Sequence, residues 1–159
     1  MAADGVADPE EIKILHRIGD ALELDVNELE KLHRPVPQLE LGSALKHHAS
    51  SCIDVSDGLE QDLSHILKAS DVGATIDVLK LPVEESVTEY LKNTNDWSLP
   101  LCGGDDYELC FTANKSNRDQ IRLLSENLKT QVTKIGEINS SKELKINGYG
   151  GHSSSYQHF

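Results

Sequence analysis

The hydrophobic period of this sequence changes within one short segment, residues 53–59, whose sequence is Ile-Asp-Val-Ser-Asp-Gly-Leu. Apolar and polar residues alternate up to Ser56, which is the period of a half-buried strand. From Leu59 onward apolar residues recur at the spacing of a helix. The chain is therefore constrained to pass from a strand that ends near Ser56 directly into a helix, which we predict over residues 58–70.

Three polar side chains meet at this strand-to-helix junction. Asp54 and Ser56 leave one face of the strand end, and Asp57 lies where the chain turns into the helix. Carboxylate and hydroxyl oxygens at such a junction often hold hard cations or phosphate groups. A purely structural interpretation is also open, because Asp57 followed by Glu60 matches a capping box, in which the carboxylate satisfies a free amide of the first helical turn. In that interpretation Asp54 is only a solvated residue on an open strand face.

A second informative segment comprises residues 103–109, whose sequence is Gly-Gly-Asp-Asp-Tyr-Glu-Leu. Its two glycines permit backbone torsion angles closed to other residues and a close approach to a ligand. We predict that a strand follows over residues 107–113. Taken alone, the segment is weak evidence for a site, because hairpins use the same residues freely. It is not a Walker-type phosphate loop, since no Gly-Lys-Ser/Thr follows.

Together, the two segments resemble the thiamine-monophosphate kinase family, within the superfamily of aminoimidazole ribonucleotide synthetase and selenophosphate synthetase. The Asp-x-Ser-Asp-Gly element of residues 54–58 is shared across much of that superfamily. The Gly-Gly-acid-Asp-Tyr-Glu-Leu element is much more specific to this kinase. Residues 33–37 and 156–159 also resemble the family, so the resemblance extends over roughly residues 28–159.

The resemblance implies that this chain is similar to the C-terminal half of such a kinase. We therefore expect residues 1–37 to contain helices and a proline-containing linker at the junction to a missing N-terminal half. Residues 38–159 are expected to form the C-terminal domain of the kinase. The implied fold class is α/β (α+β), a layered domain with a mixed, largely antiparallel sheet and helices on its faces. The irregular alternation of predicted strands and helices also favours a mixed fold over a regular parallel series.

The activity implied by the resemblance is transfer of a phosphoryl group from ATP to thiamine monophosphate, which gives thiamine diphosphate. Matched by position, Asp54 and Asp57 correspond to Mg²⁺ ligands of the family, and Ser56 corresponds to a residue that contacts ATP. Asp105 corresponds to the position that contacts the thiamine phosphate substrate, where relatives often carry Glu. No residue of this chain is assigned as a catalytic group. We expect the full-length protein to be a homodimer and this chain to be inactive alone.

Composition and charge disfavour several other classes of protein. The chain has 27 acidic and 15 basic residues, and its net charge of −12 disfavours nucleic acid or an anionic membrane as a partner. No apolar run approaches the ~20 residues that span a bilayer, and the acidic N-terminus does not resemble a secretory signal. Cys52 and Cys110 lie in apolar strand-like runs, so we predict buried, reduced thiols. A cytoplasmic location is therefore expected.

Two other interpretations stay open from the sequence. The chain could belong to another ATP-dependent enzyme of the same superfamily, in purine or selenophosphate synthesis, which shares the Asp-x-Ser-Asp-Gly element. Residues 105–109 argue against that assignment. The chain could also be a short protein that folds but does not catalyse a reaction.

The shared-site hypothesis has a geometric consequence. One nucleotide–metal cluster can meet the substrate only if the two segments lie at the same end of the sheet. Asp54, Asp57 and Asp105 are therefore expected to line one open, acidic edge, with their carboxylates substantially exposed. Packing of the core does not require this placement, so it separates a functional site from incidental turn chemistry.

Overall fold

The computed structural model describes residues 36–104 and 106–149. The chain divides into two compact units, one of residues 1–36 and 83–96 and the other of residues 37–82 and 97–159. The predicted helices before residue 36 lie outside the described residues, and so does Asp105. The expected junction to an N-terminal half therefore stays a prediction.

The described elements are numbered from the first one in the chain. They are α1 (Leu39–Leu45), β1 (Ala49–Asp54), α2 (Leu59–Ser70), β2 (Gly73–Asp77), α3 (Glu85–Thr94), α4 (Ser98–Cys102), β3 (Leu109–Ala113), α5 (Arg118–Leu128), β4 (Gly136–Asn139) and β5 (Leu144–Asn147). Single 3₁₀ turns follow β2 and β3, at Val78–Lys80 and Lys115–Asn117. Within the part of the chain that the structure describes, every helix is too short or too polar to cross a membrane.

The strands of the second unit form two small sheets. β1 and β3 pair antiparallel, with Asp54 opposite Leu109 and Ile53 opposite Cys110. In the other sheet β2 lies in the centre, antiparallel to β4 and parallel to β5. Among the helices of this unit, α2 packs against β1 and α4, and α1 packs against α5. The predicted mixed and largely antiparallel α/β fold is confirmed, although its described strands divide between two sheets.

The helix α2 lies within one residue of its predicted bounds because its apolar residues share one face. Leu63, Ile66 and Leu67 are buried, and each such side chain contributes roughly 1.5–3 kcal/mol to stability. The helix ends where Asp71 adopts a left-handed conformation, and the Asp71 N–H donates to the carbonyl oxygens of Leu67 and Lys68. The buried face fixes the direction in which the preceding turn enters the helix.

The two faces of the β1–β3 pair correct the prediction for Cys52. Opposite residues in an antiparallel pair share a face, so Ile53 lies with Cys110 and Cys52 lies with Phe111. Cys110 is buried, whereas Cys52 is exposed on the face that also carries Asp54. The prediction of a buried, reduced thiol is thus confirmed for Cys110. It is wrong for Cys52, because the apolar neighbour Ile53 points to the opposite face.

The strand β3 begins at Leu109, two residues later than predicted. Tyr107 has a φ of 52°, which is left-handed and interrupts an extended strand. The Tyr107 N–H nevertheless donates to the carbonyl oxygen of Val55 at 2.9 Å. Pairing with the first segment therefore continues past the regular part of the strand.

We expect Cys52 to react with alkylating reagents faster than Cys110, because the two thiols differ in burial. Burial, with smaller contributions from Cys52 and Asp62, raises the pKa of Cys110 from 9.0 to about 11. Partial burial and Asp54 also raise the pKa of Cys52, but its thiol is accessible. Because the thiolate is the reactive form, iodoacetamide at pH 8 should modify Cys110 roughly tenfold or more slowly than Cys52.

Peptide mass spectrometry of the folded protein measures both alkylation rates. In denaturant the two rates should converge, because unfolding removes the burial that protects Cys110. Equal rates in the folded protein would contradict the assigned face of Cys110.

Candidate functional site

The turn that connects β1 to α2 is built around a glycine. Gly58 is the N-cap residue of α2, with φ 108° and ψ 147°, a conformation that is essentially restricted to glycine. Asp57 therefore lies one position before the residue that a capping box requires, and Glu60 is the second helical residue instead of the third. The structural interpretation of this pair as a capping box does not fit the observed helix start.

The buried carboxylate of Asp62, in α2, accepts hydrogen bonds from the turn between β1 and α2. Asp62 is only 3% exposed. Its Oδ2 accepts hydrogen bonds from the backbone N–H of Ser56 at 2.9 Å and of Asp57 at 3.0 Å. The side chain of Asp57 has a further partner, since its Oδ2 accepts a hydrogen bond from Nε2 of Gln61 at 3.1 Å. The backbone at both site positions is thus fixed by one side chain of α2.

Asp62 is not among the site residues predicted from the sequence, although the sequence carries a signal for it. Residues 59, 62, 63, 66 and 67 follow one helical face, and Asp62 is the charged residue among four apolar ones. A charged residue within an apolar stripe is unusual, because burying an unpaired charge is costly. Such a position indicates a specific partner near the start of the helix.

The second segment contacts the first through backbone hydrogen bonds and glycines. The Val55 N–H donates to the Glu108 carbonyl oxygen at 2.8 Å, and Tyr107 donates back to Val55 at 2.9 Å. A Cβ at Gly104 would overlap the carbonyl oxygen of Ser56. Only a residue without a side chain allows the two backbones to approach this closely.

A similar close approach occurs at the other glycine. A Cβ at Gly58 would lie 2.9 Å from the Cα and the carbonyl carbon of Cys102. The two segments therefore meet at the same end of the β1–β3 pair. Asp105 lies outside the described residues, so its place on that edge stays a prediction, although Gly104 on one side and Tyr107 on the other both contact the first segment.

The carboxylate of Asp54 lies on the exposed face of β1 and lines an open cleft of about 570 Å³ between α1 and the β1–β3 pair. Lys46 on the same cleft brings a positive charge to its rim. The complete lining is Pro37, Gln38, Leu39, Gly42, Ser43, Lys46, Asp54, Tyr107 and Leu109. Ser56 and Asp57 are half-buried and lie outside this lining, so the expected open and exposed edge is found for Asp54 but not for Asp57.

Asp57 belongs to a different group of potential metal ligands. Donor atoms of Asp57, Asp62 and the exposed His65 lie within 4.8 Å of one another. Mg²⁺ prefers oxygen ligands, often one or two carboxylates completed by waters and phosphates. The carboxylates of Asp54 and Asp57 and the hydroxyl of Ser56 are oxygen donors of this kind, so the donor types suit such an ion. The structure groups Asp57 with Asp62 and His65 and places Asp54 on the cleft. The imidazole of His65 is a donor more typical of transition metals.

Comparison with known proteins supports the resemblance found in the sequence. The family model of the AIR synthase related protein, C-terminal domain, matches residues 11–148. The thiamine-monophosphate kinase of Escherichia coli K12 is 40% identical over 128 residues, which are 80% of this chain and 39% of that protein. The chain thus spans about two fifths of the length of this relative.

Solved structures show the same fold. The thiamine-monophosphate kinase of Stenotrophomonas maltophilia K279a has a TM-score of 0.75 and 33% identity, over 88% of this chain and 48% of that one. AaThiL complexed with AMPPCP and TMP has a TM-score of 0.67 over 93% of this chain and 47% of that one. At 23% identity, the second likeness supports the fold alone.

Replacement of Gly58 by alanine should destabilise the protein strongly. The new Cβ would meet the Cys102 backbone, and the torsion angles at residue 58 disfavour any side chain. We expect a loss of about 3 kcal/mol or more in the free energy of unfolding. Urea titration followed by circular dichroism measures this quantity.

Gly42→Ala provides the matched control. A Cβ at Gly42, within α1, would make an ordinary contact of 3.5 Å with Leu109 Cδ1. Because alanine favours helices over glycine, this variant should be more stable by roughly 0.5–1 kcal/mol. A small, similar effect at both positions would contradict the close approach of the Gly58 turn to Cys102.

Proposed function

The chain belongs to the family of AIR synthase related proteins, through their C-terminal domain, and from this premise we propose that it is the C-terminal part of an ATP-dependent thiamine-monophosphate kinase. The proposed reaction transfers a phosphoryl group from ATP to thiamine monophosphate and yields thiamine diphosphate. Relatives named for this kinase support the proposal. They do not favour an enzyme of purine or selenophosphate synthesis.

The contact between segments 53–59 and 103–109 carries the proposal for this chain. Val55 pairs with Tyr107 and Glu108, while Gly104 lies against Ser56. These contacts bring the segment shared by the superfamily against the segment more specific to the kinase. The proposal thus gives a ligand-binding role to a contact that the β1–β3 pairing and the two glycines create.

The chemistry of phosphoryl transfer explains why acidic residues suit this turn. Joining a phosphate monoester to a triphosphate brings anions together, so catalysis depends on positioning and charge neutralisation. When bound at Asp54 and Asp57, Mg²⁺ would supply positive charge for the phosphate groups. Ser56 would contact ATP, and Asp105 would contact the thiamine phosphate.

The remaining parts of the proposed site lie in the N-terminal half of the same enzyme. This half would provide further metal-binding aspartates and much of the nucleotide site. The proposed full-length protein is a cytoplasmic homodimer whose small-molecule partners are ATP and thiamine monophosphate. In this proposal the 159-residue chain is a structural and ligand-binding component that needs its other half for turnover.

The isolated chain should show no kinase activity. Its two proposed metal ligands, Asp54 and Asp57, line only part of a site, and Asp54 is exposed to solvent. The purified chain, mixed with ATP, Mg²⁺ and thiamine monophosphate, is assayed for thiamine diphosphate by chromatography. The Escherichia coli relative serves as the positive control. Reproducible turnover by the chain, free of contaminating kinase, would show that the proposed division of the site is wrong.

Asp57→Asn should test the metal-binding role within a complete enzyme. A chimera joins this chain to the N-terminal part of the Escherichia coli relative, so that both halves of the site are present. The substitution keeps the shape of the side chain but removes its charge. We expect the turnover rate to fall about 100-fold or more, which is typical of losing one electrostatic group in a site, while the melting temperature changes little.

Asp119→Asn in α5 is the matched control, because it removes an equally negative charge from an exposed position. This variant should keep the parental rate. If Asp57→Asn also keeps it at saturating Mg²⁺, Asp57 has only a structural role. A shifted Mg²⁺ dependence would separate loss of metal binding from loss of substrate binding.

A further inference from the structure

Asp62 is the only charged side chain that is buried among residues 36–104 and 106–149. The proposed function assigns no task to it. Its two hydrogen bonds come from the backbone N–H groups of Ser56 and Asp57, at 2.9 and 3.0 Å. No cation pairs with it among the described residues, so peptide dipoles balance its charge.

The location of Asp62 in α2 favours this arrangement. Its own N–H donates to the carbonyl oxygen of Gly58 at 3.0 Å, which places it in the first turns of the helix. Negative charge is stabilised near a helix N-terminus by the helix dipole. Hydrogen bonds to a carboxylate are also shorter and about twice as strong as those between neutral groups. These two interactions compensate for the burial of the Asp62 side chain.

The contacts of Asp62 decide where two proposed site side chains point. The Gly58 cap has no side chain that could tie the turn to the helix. Contacts with Gly104 hold the Ser56 carbonyl oxygen from one side, and Asp62 holds the N–H groups of Ser56 and Asp57 from the other. The peptide planes on both sides of the Ser56 Cα are thus constrained, which fixes the direction in which its side chain leaves the backbone.

We propose that Asp62 is a positioning residue, which orients the Ser56 hydroxyl and the Asp57 carboxylate through their backbone N–H groups without contacting the substrate or a metal ion itself. The effect on catalysis rests on the proposed function, whereas the effect on the turn does not. The grouping of Asp62 with Asp57 and His65 suggests a rival role as a direct metal ligand. The two roles predict different effects of Asp62→Asn. An asparagine can still accept hydrogen bonds from the two N–H groups, but it cannot replace a carboxylate as a metal ligand.

Amide hydrogen exchange, followed by NMR on the chain itself, tests the positioning of the turn. In Asp62→Ala the Ser56 and Asp57 amides should exchange roughly 10- to 100-fold faster, because each loses a hydrogen bond to a charged group. In Asp62→Asn the amide oxygen still accepts from both N–H groups, so most of the protection should remain. Asp77→Ala is the matched control, since it removes a carboxylate that accepts the Leu79 N–H at 3.1 Å elsewhere in the same unit.

Kinetics of the chimeric kinase then test the consequence for catalysis. Asp62→Ala should lower kcat about 100-fold with little change in the KM for thiamine monophosphate, and Asp62→Asn should stay within about tenfold of the parent. Asp77→Ala should change neither parameter. The proposal requires that a variant that loses amide protection also loses kcat, and that a variant that keeps amide protection also keeps kcat.

Two results would overturn the proposal. One is unchanged protection of the Ser56 and Asp57 amides in Asp62→Ala. The other is a variant that keeps amide protection but loses kcat, or the reverse. An Asp62→Asn protein with protected amides and a low kcat would be such a variant, and would indicate a lost metal ligand. If Asp62→Ala does not fold, Asp62→Asn decides by the same criterion. Activity of the parent chimera tests the proposed function separately, because the exchange measurements decide the role of Asp62 in the turn whether or not the chimera is active.

Discussion

The pairing of Val55 with residues 107 and 108 is the interaction on which the arrangement of the candidate site depends. These two backbone hydrogen bonds, at 2.8 and 2.9 Å, join segments separated by about fifty residues. Each bond contributes only about 1 kcal/mol of net stability. Their importance lies in geometry, because they continue the β1–β3 pairing beyond Asp54 and bring Gly104 against Ser56. Side chains from both segments can then face the same ligand only at this end of the pair.

Local hydrophobic period predicted the strand and the helix that flank the turn. The strand β1 ends at Asp54, two residues before the predicted end near Ser56, and α2 begins at Leu59, so the change of period located the junction to within two residues. This agreement follows from burial, since Leu63, Ile66 and Leu67 must share one helical face to reach the core. The two segments named in the sequence analysis also meet in space, as a shared site requires.

Properties that depend on distant parts of the chain could not be predicted in the same way. The exposure of Cys52 is an exception, because the alternation of residues 53–56 already places Cys52 on the polar face with Asp54. The late start of β3 depends on the left-handed conformation of Tyr107, whose N–H is held by Val55. The place of Asp62 on the apolar face of α2 indicated that it has a partner, but the partners themselves are backbone groups of Ser56 and Asp57, which no side-chain motif records.

The exposure of Asp54 limits what this surface can do by itself. At about 4 Å, two unit charges in water interact by only ~1 kcal/mol, whereas the energy is several times larger near a protein surface that excludes water. The Asp54 carboxylate lies on the open side of the β1–β3 pair, where water solvates it and weakens its attraction to a cation. Strong neutralisation of a phosphate–metal cluster therefore requires a second surface that covers Asp54 and removes water. In the proposed kinase, the turn built by Gly58, Gly104 and Asp62 would supply position, and the proposed N-terminal half would supply the low dielectric in which that position becomes catalytically effective.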